Sequence, residues 1–202
     1  MDLFPEGAWP LRGCPICRLL ERDEFDLMCH LQYQTIHDEE IKDQIVAHQG
    51  YCRFHFYEMA RLTTPRAMAI LIKELIDQKI KEIKENHYLS LENGNCLICE
   101  ELRKREDAYL VHFFNLLAED SFPRKYSQSD GLCHFHLKKI LALAKESVIS
   151  QFLLVREEEQ LKNFQKNLEN FLRKEKSKDK MSEQEKKAWW WGMQKLVGKR
   201  GL

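Results

Sequence analysis

Gly50-Tyr51-Cys52-Arg53-Phe54-His55 and Gly131-Leu132-Cys133-His134-Phe135-His136 carry one pattern, Gly-x-Cys-x-Phe-His, written twice. Each is preceded by a cysteine pair, Cys14-Pro15-Ile16-Cys17 in the first case and Cys96-Leu97-Ile98-Cys99 in the second. The first cysteine moves by 96 − 14 = 82 positions and the third by 133 − 52 = 81, so the whole constellation repeats with a slip of one residue. Each copy reads C-x2-C, a gap of more than thirty residues, then C-x2-H. That is three thiols and one imidazole, a complete four-coordinate set for a soft or borderline metal. Each half motif alone is weak, but two full copies at matching spacing are strong.

Working outward, the periodicity is helical throughout. Gly13 and Pro15 mark a tight knuckle, and Leu19, Leu20, Phe25, Leu27, Met28 and Leu31 form one apolar face after it. Ile41, Ile45 and Val46 belong to a shorter helix that Gly50 breaks; the next runs through Met59. Thr64 before Pro65 is a restart signal, and the clearest stripe follows: Met68, Leu71, Ile72, Leu75, Ile76, Ile80, Ile83. Residues 86–95, with Asn93-Gly94, read as the connector between copies. Copy two follows the same plan, with a loop over 121–130 and then one long helical pattern that bends near Ser147. No run of alternating β-branched residues is long enough for a sheet. The expected fold is all-α, organised as a first metal-binding repeat (1–86), a second (87–172) and a charged linker with a Trp-rich helix (173–202). In that last segment Ser182-x-x-Glu185 is a capping box, and Trp189, Trp190, Met193, Leu196 and Val197 share a face. The favoured reading docks that face on the protein's own core; the alternatives are a partner groove or a membrane surface.

The chemistry narrows from there. A Cys-x2-Cys turn brings two sulfurs to one ion, and Cys-x2-His in the first turn of a helix places the other two ligands side by side. The helix N-terminus favours thiolate over thiol. The expected ligands are Cys14, Cys17, Cys52 and His55 in copy one, and Cys96, Cys99, Cys133 and His136 in copy two. Pairing across copies, Cys14 and Cys17 with Cys133 and His136, is the other possibility; closure within a copy makes the shorter loop and is favoured. Zinc at two sites is the first choice of metal, because a closed Cys3His set leaves no ligand to spare and no open position, which makes it structural. A 4Fe–4S cluster is the alternative, since three Cys and one His can hold one. A thiol–disulfide role is weakened because neither Cys-x2-Cys pair follows a strand.

Composition excludes several classes. Among 202 residues, Lys+Arg and Asp+Glu number 32 each, so no net field draws the chain to nucleic acid or a membrane surface. No stretch approaches the ~20 apolar residues of a membrane span. Residues 1–13 lack a basic start and an apolar run, and seven cysteines without a secretory signal point to a reducing cytoplasm. There is no phosphate loop, G-x-S-x-G or H-E-x-x-H motif. His30 and His112 are a matched pair (112 − 30 = 82), each thirteen residues past the second cysteine of its copy. On one helix that is about 20 Å of rise, out of ligand reach. They read as half-buried, or else as a symmetric interior site with acids such as Glu24 and Glu106. Cys29 reads as an ordinary core thiol.

The tandem knuckles, the Gly50-Tyr51-Cys52 and Gly131-Leu132-Cys133 segments and the Trp-rich end resemble a bacterial domain-of-unknown-function family of helical, Cys-rich cytosolic proteins. The resemblance implies a metal-binding helical protein and carries over no activity. The expected function is a structural-zinc interaction or adaptor module, with a protein partner reached through Trp189, Trp190 and Met193; the alternative is an iron–sulfur or thiol redox protein.

Overall fold

The computed structural model describes residues 12–87, 96–119 and 121–199, and these are helical with no strand among them. In chain order the helices are α1 (Pro15–His37), α2 (Glu39–Ala47), α3 (Arg53–Leu62), α4 (Pro65–Asn86), α5 (Leu97–Leu117), α6 (Phe122–Ser127), α7 (His134–Ala144), α8 (Val148–Ser177) and α9 (Glu183–Val197). Their boundaries follow local chemistry. Asp38 accepts from the Glu40 and Ile41 amides to start α2, and Thr64 accepts from Ala67 N–H ahead of Pro65 to start α4. Ser147 and Ser182 each close a reciprocal capping box, with Ser150 and with Glu185.

Two expectations change. The long pattern after Cys133 is two helices: Lys145 takes a left-handed φ of 50° and Ser147 caps a fresh start, so the chain turns there and does not merely bend. The loop expected at 121–130 contains α6, whose Phe122 and Tyr126 are buried against Phe113 in edge-on ring contacts. The connector reading over 88–95 and the reading of residues 1–11 lie outside the described residues.

The contacts divide the chain into two units that do not coincide with the sequence copies. Among the described residues, one combines those up to Leu20 with those from Glu106 to 199; the other comprises those between Glu21 and Arg105. The boundaries fall inside α1 and α5. The first unit's core is built on Ile16, Phe113, Tyr126, Leu132, Ile140 and Leu153, all essentially without solvent contact. Each such side chain contributes about 1.5–3 kcal/mol on burial. In the second unit Ile45, Met59, Leu71 and Ile98 are the most buried, with α2 packed on α4.

Helix α9 packs on α7 and α8 by a different face from the one expected. Its buried residues are Glu185, Ala188 and Lys195, whereas Trp189, Trp190, Met193, Leu196 and Val197 are each 42–68% exposed. The aromatic face is not docked on the core. The reason is Lys195, whose ammonium finds four acceptors inside: Glu157 Oε2 at 2.6 Å, Gln160 Oε1 at 2.8 Å and the carbonyls of Leu132 and Asp130 at 2.7 and 3.2 Å. A charge so well satisfied can be buried, and the helix turns that side inward.

Candidate metal centres

The eight cysteine and histidine side chains singled out by the repeat gather into two groups, and each group draws one half from each copy. Cys14, Cys17, Cys133 and His136 form the first; Cys52, His55, Cys96 and Cys99 form the second. Within each group the four candidate ligand atoms lie within 4.8 Å of one another. The expectation of closure within a copy is therefore overturned: Cys14 and Cys17 meet Cys133 and His136, not Cys52 and His55.

The same local device supplies every half. Cys14, Cys52, Cys96 and Cys133 each stand immediately before a helix, and their carbonyls accept the first helical bonds from Arg18, Phe56, Glu100 and Leu137 at 2.8–3.2 Å. The second ligand of each half sits three residues on, in the first turn. The expected knuckles at Cys14–Cys17 and Cys96–Cys99 are thus helix starts too, with Pro15 opening α1. Each centre receives two helix N-termini, α1 and α7 at the first, α3 and α5 at the second. Each end carries about half a positive charge, which favours thiolate.

Gly50 and Gly131 explain the Gly-x-Cys spacing. Both have positive φ, 88° and 73°, so the chain can reverse two residues before the cysteine. A Cβ on Gly50 would stand 2.7 Å from the Phe56 ring, and one on Gly131 2.3 Å from Gln160 Oε1.

In the first centre the Nδ1 of His136 lies 3.4 Å from Cys14 Sγ, 3.4 Å from Cys17 Sγ and 3.1 Å from Cys133 Sγ, with Cys17 and Cys133 3.7 Å apart. In the second, His55 Nδ1 lies 3.2, 3.4 and 3.3 Å from Cys52, Cys96 and Cys99, with Cys52 and Cys99 3.6 Å apart. Both imidazoles turn Nδ1 to the sulfurs and Nε2 toward a carboxylate, hydrogen-bonded at His55 and at ion-pair distance without hydrogen-bond alignment at His136. Glu24 Oε1 is 2.9 Å from His55 Nε2, and Glu106 Oε1 is 3.1 Å from His136 Nε2. A carboxylate behind a ligating histidine fixes its tautomer and raises its basicity. Glu106 is also held by Lys139 at 2.6 Å.

Electrostatics within the clusters follow from these contacts. Burial works against charge on His136, but the Cys133 and Cys17 sulfurs and Glu106 outweigh it and lift the imidazole to about 11. Burial likewise opposes charge on His55, and Cys96 and Glu24 lift it to about 10. Burial pushes the Cys14 thiol well up, and it pushes Cys99 up to about 12. Cys133, accepting from Cys14 and Cys17, is held far below a free thiol; Cys96 falls to about 6 because His55 overcomes burial.

All seven cysteines are unbonded to one another, and Cys29 is half-buried away from both groups. His30 is exposed and His112 half-buried, and neither joins a metal-competent group among the described residues. Glu24 and Glu106, the acids expected beside them, lie instead against His55 and His136. Their role had a visible trace: each lies seven residues past a cysteine, 24 − 17 = 106 − 99 = 7. No described helix is long and apolar enough to cross a membrane.

The chain belongs to a family of unknown function (DUF6062), whose model matches it twice, over residues 6–91 and 84–200. No curated protein and no solved structure matches it.

Proposed function

We propose that both clusters are structural zinc sites, with Cys14, Cys17, Cys133 and His136 as the ligands of one ion and Cys52, His55, Cys96 and Cys99 of the other, and that the chain is an interaction or adaptor module rather than an enzyme. The observation that carries the reading is the size of the ligand shells. Tetrahedral zinc, at about 2.3 Å from sulfur and 2.0–2.1 Å from nitrogen, sets edges of about 3.8 Å between sulfurs and 3.5 Å between sulfur and nitrogen. The sulfur–sulfur contacts of 3.6 and 3.7 Å and the sulfur–nitrogen contacts of 3.1–3.4 Å, with all four ligand atoms of each group inside 4.8 Å of one another, suit a single ion between them. A 4Fe–4S cluster binds its ligands on four different irons at the corners of a cube and needs a wider shell. A closed set of four protein ligands leaves no position for a reacting water, which favours a structural role.

The partner surface in this reading is the exposed α9 face. Trp189, Met193, Leu196 and Val197 line an apolar groove with Leu161, Phe164, Leu168 and Leu172 of α8, about 560 Å³ in volume. Elemental analysis of anaerobically purified protein tests the metal: two zinc and no iron or acid-labile sulfide per chain is expected, and iron with sulfide overturns it. Loss of captured protein on W189A/M193A substitution, with zinc content unchanged, tests the surface.

A further inference from the structure

We propose that the two centres differ in how readily they give up their ion: the Cys14–Cys17–Cys133–His136 centre holds its ion and releases it slowly, whereas the Cys52–His55–Cys96–Cys99 centre exchanges its ion with chelating acceptors from solvent through Cys52 and Cys99. This rests on the zinc reading above and adds a difference between its two sites.

A four-coordinate ion with no open position exchanges when an incoming donor reaches it as one sulfur swings away and takes up a proton. The rate is then governed by whether the donor can reach a sulfur. In the Cys14 centre all four ligands are buried. The end of α9 covers two of them: a Cβ built on Gly198 would lie 3.5 Å from both Cys133 Sγ and Cys17 Sγ. Gly198 has φ 78° and ψ −166°, a conformation that is essentially glycine's alone, so the chain is shaped to pass close over those sulfurs. Lys195, three residues earlier, clamps that helix to Glu157 and Gln160 and to the Leu132 carbonyl, next to Cys133. A void touching Cys14 and Cys133 measures about 20 Å³ and is walled by Trp191, Gln194 and Lys195. That is room for about one water, not for a chelating ligand.

The Cys52 centre is built more openly. Cys52 and Cys99 are half-buried, one from each helix start, and their sulfurs are neighbours at 3.6 Å. The loop ahead of Cys52 is held by the Gly50 amide on the Ile45 carbonyl and by Lys79 on the Gln49 side chain. An acceptor approaching from solvent meets two adjacent thiolates, either of which can leave first.

The test is zinc release from the fully loaded, full-length chain into excess 4-(2-pyridylazo)resorcinol, followed by stopped flow. One equivalent should leave fast and one slowly, with rates about tenfold or more apart, because release from the covered centre waits on local opening of α9. C99S should abolish the fast equivalent. G198A should speed the slow one and leave the fast one unchanged. Limited alkylation with iodoacetamide, read by mass spectrometry on the unsubstituted protein, should mark Cys52 and Cys99 before Cys14, Cys17 or Cys133. Two equivalents leaving in a single phase, a fast phase that survives C99S, or first labelling at the Cys14 centre each overturns the proposal. Fewer than two zinc in the loaded protein sinks the zinc reading and this proposal together; two zinc released at one rate sinks this proposal alone.

Discussion

Glu24 lies on α1, seven residues beyond Cys17, yet its carboxylate contacts His55 and so belongs to the centre that contains Cys52, Cys96 and Cys99. Substituting it separates cross-copy from within-copy assembly. The carboxylate is about 8% exposed and 2.9 Å from Nε2, a short charge-assisted contact. Glu24→Gln keeps an acceptor and loses the charge; Glu24→Leu also strands a buried N–H. Loss of a carboxylate behind a ligating histidine typically weakens metal binding 10–100-fold. We expect about tenfold for Gln, ~1.4 kcal/mol, and close to 100-fold for Leu, ~2.7 kcal/mol, as the unsatisfied donor adds its cost. Each centre is isolated by disabling the other, with Cys133→Ser leaving the Cys52 centre and Cys99→Ser leaving the Cys14 centre, and zinc affinity is then measured by chelator competition. Glu24→Gln should weaken zinc in the Cys133→Ser background and leave it unchanged in the Cys99→Ser background. Weakening in both backgrounds, as within-copy centres would give, or in the Cys99→Ser background alone, would refute the cross-copy assembly.

Further outcomes follow from the same contacts. Cys133→Ala should drop one zinc and unfold the unit from Glu106 onward while Glu21–Arg105 persists, and Cys52→Ala should do the reverse; structural zinc contributes ~10–16 kcal/mol, comparable with a whole domain's stability, and thermal melts with metal analysis read the effect. Lys195→Met leaves the Glu157 carboxylate buried without its partner and should destabilise by ~3–5 kcal/mol in urea unfolding, with the Lys195→Met/Glu157→Leu double variant recovering most of it. Zinc uptake at the Cys52 centre at pH 7 should release at least two protons, from His55 (about 10) and Cys99 (about 12), measured by calorimetry in buffers of different ionisation enthalpy. The sign at Cys96 is that of a lowered pKa: its thiolate, favoured down to about 6, is lost as pH falls through that value, so zinc affinity there should fall more steeply below pH 6 than above it. Gly131→Ala should cost at least ~1–3 kcal/mol from the positive φ alone, with the collision at Gln160 added, and loosen the Cys14 centre first in the chelator assay.

Much of this was legible in the residues. The eight candidate ligands, the Thr64-Pro65 restart and the Ser182-x-x-Glu185 box each act through a few neighbouring residues, so short patterns reveal them. The docked face of α9 was not legible, because hydrophobicity pointed to Trp189 and Met193 while the burial of Lys195 depends on four acceptors supplied by residues 35–65 positions away.

The partnering of the halves turns on a comparison of magnitudes. Closing Cys17 on Cys52 spans 52 − 17 = 35 residues and closing it on Cys133 spans 116, a difference of about 1 kcal/mol in loop entropy. For Cys99 the choice lies between 34 residues to Cys133 and 47 to Cys52, about 0.3 kcal/mol. Such preferences are small beside the stiffness of the chain between the ligands. Helix α1 carries the backbone about 30 Å from Cys17 to His37 at 1.5 Å per residue. To return, residues 38–52 would have to run nearly straight back, α2 included. The Gly50 amide bonded to the Ile45 carbonyl folds that stretch into a turn instead. The helical rise that keeps His30 out of Cys17's shell thus also keeps Cys52 out of it, and leaves each cysteine pair to be completed by the other copy.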